Sequence, residues 1–197
     1  IKDVATNFGA KTIMTSSEHQ TGTDRLAEAV SYIKNTEKTD IVINVQGDEP
    51  FIKKEQIESL KNCFADNKTN IATLVKKIEN ESELFDINKP KVVFDKNFQA
   101  LYFSRDTIPY LRGVAKSDWS KNHEFYKHIG IYAYRIQTLL EISKLPQGKL
   151  ETAEKLEQLP WLENGYKIMI AVTNHESIGI DVPEDLIKAE EYYLSRK

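Results

Sequence analysis

The sequence predicts an α/β fold in which a doubly wound sheet carries an antiparallel insertion. Two observations support this prediction. Short apolar runs such as Ile41-Val42-Ile43 alternate with stretches in which apolar residues recur every three or four positions, as strands alternate with amphipathic helices. After residue 91 the strands follow one another without helices between them, which favours antiparallel pairing.

The first half of the chain follows a helix-to-strand rhythm. On the second predicted helix, Leu26, Ala29, Val30 and Ile33 fall at i, i+3, i+4 and i+7, so one apolar face packs on the sheet. Ile1 already lies inside a helical pattern, which predicts that the chain lacks the first βα elements of its domain. Helices are predicted at residues 1–8, 22–34 and 54–65, and strands at residues 11–15, 40–45 and 71–77.

In the second half, residues 91–135 are predicted to form the antiparallel subregion, which commonly serves as a substrate lid or a subunit contact. Its strands are predicted at residues 92–95, 100–104 and 129–135. A helix at residues 150–159, a strand at 168–172 and a helix at 184–194 follow. No repeat or linker divides the chain, so residues 1–197 are interpreted as one domain.

Composition excludes several classes of function. The 27 basic and 30 acidic residues include no dense Lys/Arg block, which argues against a nucleic-acid surface. No run approaches the roughly 18 apolar residues that a membrane span needs. Cys63 is the only cysteine in the sequence, which excludes an internal disulfide and fits a reducing cytoplasm. The four histidines lack the spacing of a zinc site.

Two aspartates follow predicted strands. Asp48 lies in the turn Gln46-Gly47-Asp48-Glu49-Pro50, and ligands of open α/β sheets bind beyond the carboxyl ends of strands. Asp48 is therefore either a magnesium ligand or a carboxylate that stabilises its own turn. Asp181 either completes a two-carboxylate metal site with Asp48 or caps the helix that begins near Pro183.

Two further segments each allow a binding and a structural interpretation. Thr21-Gly22-Thr23-Asp24-Arg25 begins the second helix, where free N–H groups bind anions, but Thr21 or Thr23 can simply be the N-cap. Arg25 can hydrogen-bond a base. Arg105 follows a strand and is either a clamp for a carboxylate or phosphate, or an exposed arginine.

In the strand that begins at His128, alternation places His128, Tyr132 and Tyr134 on one face, which suits a polyhydroxylated ligand. The alternative is a structural histidine. Glu157 and Gln158 lie on a predicted helix and become functional only if that helix borders the pocket.

Taken together, the motifs resemble one family in order and spacing, that of 3-deoxy-D-manno-octulosonate (Kdo) cytidylyltransferase, or CMP-Kdo synthetase. The resemblance extends over almost all 197 residues. It implies the nucleotide-diphospho-sugar transferase type of sheet. The motifs are Thr21-Gly22-Thr23-Asp24-Arg25, Gln46-Gly47-Asp48-Glu49-Pro50, Ala100-Leu101-Tyr102-Phe103-Ser104-Arg105, His128-Ile129-Gly130-Ile131-Tyr132-Ala133-Tyr134-Arg135, Glu154-Lys155-Leu156-Glu157-Gln158-Leu159 and Gly179-Ile180-Asp181.

The resemblance implies transfer of CMP from CTP to Kdo for lipopolysaccharide or capsule synthesis, by a cytoplasmic homodimer. Thr21, Arg25 and Gln46 would meet the nucleotide, and Asp48 and Asp181 would hold magnesium as the catalytic pair. The acid sugar would lie among the side chains of Gln46, Arg105, His128, Tyr132, Glu157 and Gln158.

The chain departs from the family pattern at several points. The family's basic, glycine-containing phosphate loop has no counterpart, and Pro160 is expected to end the helix at Leu159. Val182 and Asp106-Thr107 also differ from the usual residues. The alternatives are CMP transfer to another acid sugar, either 8-amino-Kdo or a sialic acid, a metal-dependent phosphohydrolase, and a non-catalytic nucleotide-binding fragment.

Overall fold

The computed structural model describes residues 1–19, 21–34, 36–37, 40–175, 179–180 and 183–194. The strands are β1 (Ile41–Asn44), β2 (Ile71–Lys77), β3 (Lys91–Phe94), β4 (Ala100–Ser104), β5 (Tyr126–Arg135) and β6 (Ile168–Val172). The helices are α1 (Lys2–Asn7), α2 (Gly22–Ser31), α3 (Lys54–Cys63), α4 (Glu81–Leu84), α5 (Trp119–Asn122), α6 (Ile136–Ile142), α7 (Lys149–Glu154), α8 (Leu159–Glu163) and α9 (Pro183–Leu194), with a 3₁₀ turn at Lys116–Asp118.

One mixed sheet in the order β4-β3-β5-β2-β6 organises the fold, and β1 also pairs with β5. β2 is parallel to β6, whereas β5 is antiparallel to β1 and to β2. The parallel strands β1 and β2 are therefore separated by β5, although α3 joins them directly along the chain. This arrangement confirms an α/β sheet with an antiparallel component.

Both faces of the central strands are covered. Along β5, Tyr132 and Tyr134 pack with residues of α2 and α6, while Ile131 and Ala133 pack with Leu60 of α3 on the other face. This confirms the alternation that the sequence predicts for the strand. Of the seven residues of β2, the first six are buried, as expected for a strand between two helical layers.

Most predicted elements are present within one to three residues of their expected bounds, but the strand at residues 11–15 and the single helix at residues 150–159 are wrong. Residues 11–15 are not a strand, and they pair with no strand among the described residues. Ile13 and Met14 are exposed, so the apolar pattern there is not buried by the described part of the sheet. The sequence also gave no signal for α6, which follows β5 without a loop.

The predicted helix at residues 150–159 is divided in two. Lys155 adopts a left-handed conformation (φ 54°, ψ 49°) that ends α7, and Pro160 lies in the first turn of α8 instead of ending the earlier helix. Arg105 explains the break, because its guanidinium donates to the carbonyl oxygens of Glu154 (2.6 Å) and Lys155 (3.2 Å), which the helix no longer satisfies. Glu157 and Gln158 therefore lie in a turn between two helices.

Candidate active site

A cavity of about 220 Å³ lies where β1 and β5 meet the start of α2 and the turn between α7 and α8. Five residues proposed from the sequence to bind the acid sugar are among its walls. The lining residues are Thr23, Asn44, Gln46, His128, Gly130, Tyr132, Tyr134, Lys155, Leu156, Glu157, Gln158 and Trp161. The fold therefore brings together side chains that lie more than one hundred positions apart in the sequence.

Tyr132 lies at the centre of this wall, because it pairs across the sheet with Asn44 of β1 on one side and Thr73 of β2 on the other. Its side chain is buried, and its hydroxyl has no hydrogen-bond partner among the described residues. The neighbouring Thr73 hydroxyl is engaged by His128 and by the Ile131 carbonyl. Burial raises the pKa of Tyr132 well above its ordinary value, so the phenol keeps its proton.

Gln158 provides a second buried polar group without a partner. Its side chain is 4% exposed, and Nε2 has no acceptor within the described part of the chain. An unpaired buried donor costs about 1 to 3 kcal/mol. Since Gln158 and Tyr132 line the same cavity, both unmet hydrogen bonds are explained if a polar ligand or water completes them.

His128 is held in this wall by aromatic rings. Its imidazole makes an edge contact with Phe103 (5.1 Å between ring centres) and a tilted contact with Tyr132 (5.2 Å), and Nε2 lies 3.0 Å from the Thr73 hydroxyl. Burial lowers the pKa of His128 to about 3, so the ring is neutral at physiological pH.

The start of α2 lies beside the same cavity. Thr21 is its N-cap and accepts the Asp24 backbone N–H at 3.1 Å, which confirms the structural interpretation without consuming the hydroxyl hydrogen. Gln46 reaches this helix end, since a β-carbon at Gly22 would lie 3.6 Å from Gln46 Nε2. The Thr23 hydroxyl donates to Glu157 Oε2 at 3.1 Å. The motif at the start of α2 therefore contacts both the motif that contains Gln46 and the α7–α8 turn.

A second cavity of about 300 Å³ adjoins the first and shares Thr23, Glu157 and Trp161 with it. Three of its lining residues are acidic: Asp24, Glu151 and Glu157. The pKa of Glu151 is raised, chiefly by burial and further by the charges of Glu157 and Asp24. This cavity therefore disfavours an anion unless a cation accompanies it.

Two arginines proposed as ligands make protein contacts. Arg25 Nη1 donates to Thr15 Oγ1 (2.6 Å) and to the Ser16 carbonyl (3.0 Å), and Arg25 lines neither cavity. Arg105 donates to three backbone carbonyls, those of Glu154, Lys155 and Ile87. Arg105 also lies outside both linings. Binding of base or sugar carboxylate by these arginines stays a prediction.

The proposed metal pair is described in part. Asp48 is exposed in the turn after β1, and its carboxylate makes no hydrogen bond or ion pair with the described residues. Its backbone carbonyl accepts the N–H of Ile180 at 2.9 Å. Asp181, the next residue along the chain, lies outside the described residues. Within the described ranges, no group of three or more His, Cys, Asp or Glu side chains can hold a metal.

Sequence reasoning missed several residues that line the first cavity, among them Asn44, Lys155 and Trp161. Asn44 is a polar residue within the apolar run of β1, and this position was a usable signal. Lys155 and Trp161 gave none, because both reach the cavity only through the break between α7 and α8. No helix in the described part of the chain is both long and apolar enough to cross a membrane.

Comparison with known proteins places these features in a family. The cytidylyltransferase family model matches residues 1–168. The 3-deoxy-manno-octulosonate cytidylyltransferase of Parabacteroides distasonis is 54% identical over 200 aligned positions, which cover 100% of this chain and 79% of the relative. The enzyme of the same name from Francisella tularensis is 44% identical over 98% of this chain and 78% of the relative.

Solved structures agree with the sequence relatives. A CMP:2-keto-3-deoxy-manno-octonic acid synthetase in complex with CTP superposes with a TM-score of 0.89 at 35% identity, covering 100% of this chain and 77% of that one. The 4-diphosphocytidyl-2C-methyl-D-erythritol synthase of Anaerococcus prevotii shares the fold alone, with a TM-score of 0.58 at 14% identity over 98% of this chain and 75% of that one. The chain belongs to the cytidylyltransferase family of nucleotidyltransferases.

Proposed function

We propose that this chain transfers CMP from CTP to the anomeric hydroxyl of Kdo, giving CMP-Kdo and pyrophosphate for lipopolysaccharide synthesis. One observation carries the proposal. Gln46, His128, Tyr132, Glu157 and Gln158 converge on one cavity, and two of them hold buried polar groups without partners. The names of the relatives at 44% to 54% identity support the same substrates.

The acid-sugar side of the site is suited to hydroxyl groups. The phenol of Tyr132 and the amide of Gln158 supply unpaired hydrogen-bonding groups, and His128 is neutral. Glu157 is fixed by Thr23 and can accept a further hydroxyl through its other oxygen. A sugar held by several such contacts has its anomeric oxygen oriented toward the α-phosphate, which supplies much of the rate acceleration in such reactions.

The reaction requires no covalent enzyme intermediate. The anomeric oxygen forms a bond to the α-phosphorus, the bond from that phosphorus to the β-phosphate bridging oxygen breaks, and pyrophosphate leaves while the hydroxyl proton passes to solvent. We assign the cytosine to Thr21 and Arg25 at the start of α2, beside Gln46. This assignment and the ligand role of Arg105 rest on the family resemblance.

We further propose that Asp48 and Asp181 hold magnesium. The donor set fits, because magnesium takes one or two carboxylates together with substrate phosphates, and the Asp48 carboxylate is uncommitted among the described residues. The hydrogen bond from Ile180 to Asp48 supports the pairing, since Ile180 directly precedes Asp181. When bound, the metal would neutralise phosphate charge and lower the pKa of the attacking hydroxyl.

The proposal is tested by incubating the chain with CTP, magnesium and Kdo while measuring pyrophosphate and inorganic phosphate separately. We expect pyrophosphate release that depends on the sugar. Phosphate release without the sugar would instead indicate a phosphohydrolase, and nucleotide binding without product would indicate a non-catalytic fragment. Parallel reactions with 8-amino-Kdo and a sialic acid test the sugar preference. The homodimer and the cytoplasmic location stay predictions from the resemblance, and sedimentation tests the former.

A further inference from the structure

Thr73 is a fully buried polar residue in the middle of β2. It pairs with Tyr132, which lines the first cavity. The register between β2 and β5 shifts there, because Thr73 pairs with Tyr132 and Leu74 pairs with Ile129. The shift leaves the Thr73 hydroxyl within hydrogen-bond distance of the Ile131 carbonyl at 2.9 Å, the Ile129 carbonyl at 3.3 Å and His128 Nε2 at 3.0 Å. The Tyr132 hydroxyl also lies near the Thr73 side chain, but it forms no hydrogen bond of full geometry there.

Counting hydrogens at this contact determines the tautomer of His128. A threonine hydroxyl has one hydrogen to donate, and carbonyl oxygens only accept. The carbonyl of Ile131 is the closest group, so the hydrogen of Thr73 goes to it and the hydroxyl oxygen then accepts from His128. His128 Nε2 must therefore carry a hydrogen.

The opposite arrangement is unfavourable. If the Thr73 hydroxyl donated to His128, its oxygen lone pairs would lie 2.9 Å from the Ile131 carbonyl oxygen with no hydrogen between them. Two buried acceptors at that distance repel, and each would lose a hydrogen bond. Burial lowers the pKa of His128 to about 3, so the ring is neutral at neutral pH and a hydrogen on Nε2 leaves Nδ1 with a free lone pair.

We propose that Thr73 is a positioning residue that fixes His128 in the Nε2–H tautomer and so presents Nδ1 as an uncharged hydrogen-bond acceptor in the cavity. No described residue donates to Nδ1. A neutral acceptor binds a hydroxyl or ammonium group of a ligand and repels a carboxylate oxygen. The identity of the ligand as the acid sugar rests on the proposed function, whereas the tautomer does not.

The neutral Nδ1 of His128 would therefore contribute to sugar specificity in the lining of the first cavity. Because His128 rejects an anion, the carboxylate of the acid sugar must lie against other residues, and the face toward His128 must carry a hydrogen-bond donor. Loss of one such neutral hydrogen bond costs about 0.5 to 1.5 kcal/mol, which corresponds to a change in KM of up to roughly tenfold.

The tautomer is tested directly by long-range ¹H–¹⁵N correlation NMR of the full chain labelled at its histidine side chains. The His128 signals are assigned by their loss in His128→Asn. We expect Nε2 to show the shift of a protonated ring nitrogen and Nδ1 that of an unprotonated one at pH 7. In Thr73→Val we expect exchange between both tautomers, and in Thr73→Ser the original pattern. A wild-type spectrum with hydrogen on Nδ1, or an unchanged Thr73→Val spectrum, would overturn the proposal.

Steady-state kinetics provide a second test of the role of Thr73. Thr73→Val should raise KM for Kdo several-fold to tenfold and leave KM for CTP unchanged. Thr73→Ser, which keeps the hydroxyl, should have the wild-type KM for Kdo. The matched control is Thr69→Val, since Thr69 is also buried but its hydroxyl has no partner. An equal rise in both KM values, or an equal effect of Thr69→Val, contradicts a role for Thr73 in positioning. If no variant and no wild type released pyrophosphate, the proposed function would fail while the spectra still decided the tautomer.

Discussion

The proposed sugar wall, which is the lining of the first cavity, and the turn after β1 that we propose to bind magnesium are built in opposite ways. The wall includes two buried side chains, since Tyr132 and Gln158 are 7% and 4% exposed, and the polar atoms of both lack partners among the described residues. The turn after β1 carries Asp48 on an exposed loop, where its carboxylate is solvated. The comparison teaches that one half of the proposed site contains polar groups buried at a cost in stability, whereas the other presents a solvated carboxylate that the described residues leave uncommitted.

Asp48→Asn tests the exposed half and should have the largest effect on catalysis. Losing a metal ligand should reduce kcat/KM by about a thousandfold, equivalent to roughly 4 kcal/mol of transition-state stabilisation. The free energy of unfolding should change by less than about 0.5 kcal/mol, because the side chain is exposed. Pyrophosphate release and chemical denaturation measure the two quantities.

Asp66→Asn is the control for that variant, since Asp66 is an exposed turn carboxylate whose Oδ1 accepts the Lys68 backbone N–H. It should retain full activity. Normal turnover in Asp48→Asn would refute the metal assignment.

Arg105→Met tests how much Arg105 stabilises the break between α7 and α8, which carries Glu157 and Gln158. It removes three hydrogen bonds from a charged donor to the carbonyls of Glu154, Lys155 and Ile87, so we expect the free energy of unfolding to fall by about 2 to 3 kcal/mol. Lys96→Met removes an exposed cation and should change it little. If Arg105 also binds the sugar carboxylate, KM for Kdo will rise more in Arg105→Met than in Thr73→Val. An unchanged free energy of unfolding in Arg105→Met would show that its three hydrogen bonds do not stabilise the fold.

Acid titration tests the cost of burying His128. Its folded pKa of about 3 lies below the ordinary value of 6.5, so the unfolded chain binds the proton more readily. The contribution of His128 is therefore fully present above pH 6.5 and is lost as pH falls toward 3. Between pH 6.5 and 4.5 we expect the wild type to lose roughly 2 kcal/mol more than His128→Asn does. Parallel denaturant titrations of both proteins measure the difference, and identical pH profiles would contradict it.

Of the variants that test buried side chains, Tyr132→Phe should have the smallest effect on the free energy of unfolding, and the sign of that effect shows whether the hydroxyl is satisfied within the protein. Removing an unpaired buried hydroxyl should leave the free energy of unfolding unchanged or raise it by about 1 kcal/mol. KM for Kdo should rise several-fold if the proposed sugar bonds this hydroxyl, because Tyr132 lines the cavity and its hydroxyl has no partner among the described residues. Tyr134→Phe is the matched control, since Tyr134 is 1% exposed and its hydroxyl interacts with the Thr23 side chain, so its removal should destabilise the chain. Destabilisation by Tyr132→Phe would show that its hydroxyl is satisfied within the protein.

Periodicity was sufficient to predict β2, β4 and β6 and the two faces of β5, because each depends on local pattern and burial. It was wrong at residues 150–159. That helix breaks at Lys155 because Arg105, fifty positions away, satisfies the carbonyls that the break exposes. A contact of this sequence separation has no signature in local pattern.

The sequence alone determined the family and the chemical types at the site, since both depend on which residues occur and in what order. Only the tertiary structure decided which of them meet. It inserted β5 between β1 and β2 and turned Glu157 and Gln158 into the cavity. It also placed the Thr73 hydroxyl against His128. The physical reason is that side chains are brought together by the packing of distant strands and helices, and that packing leaves no trace in the spacing of neighbours along the chain.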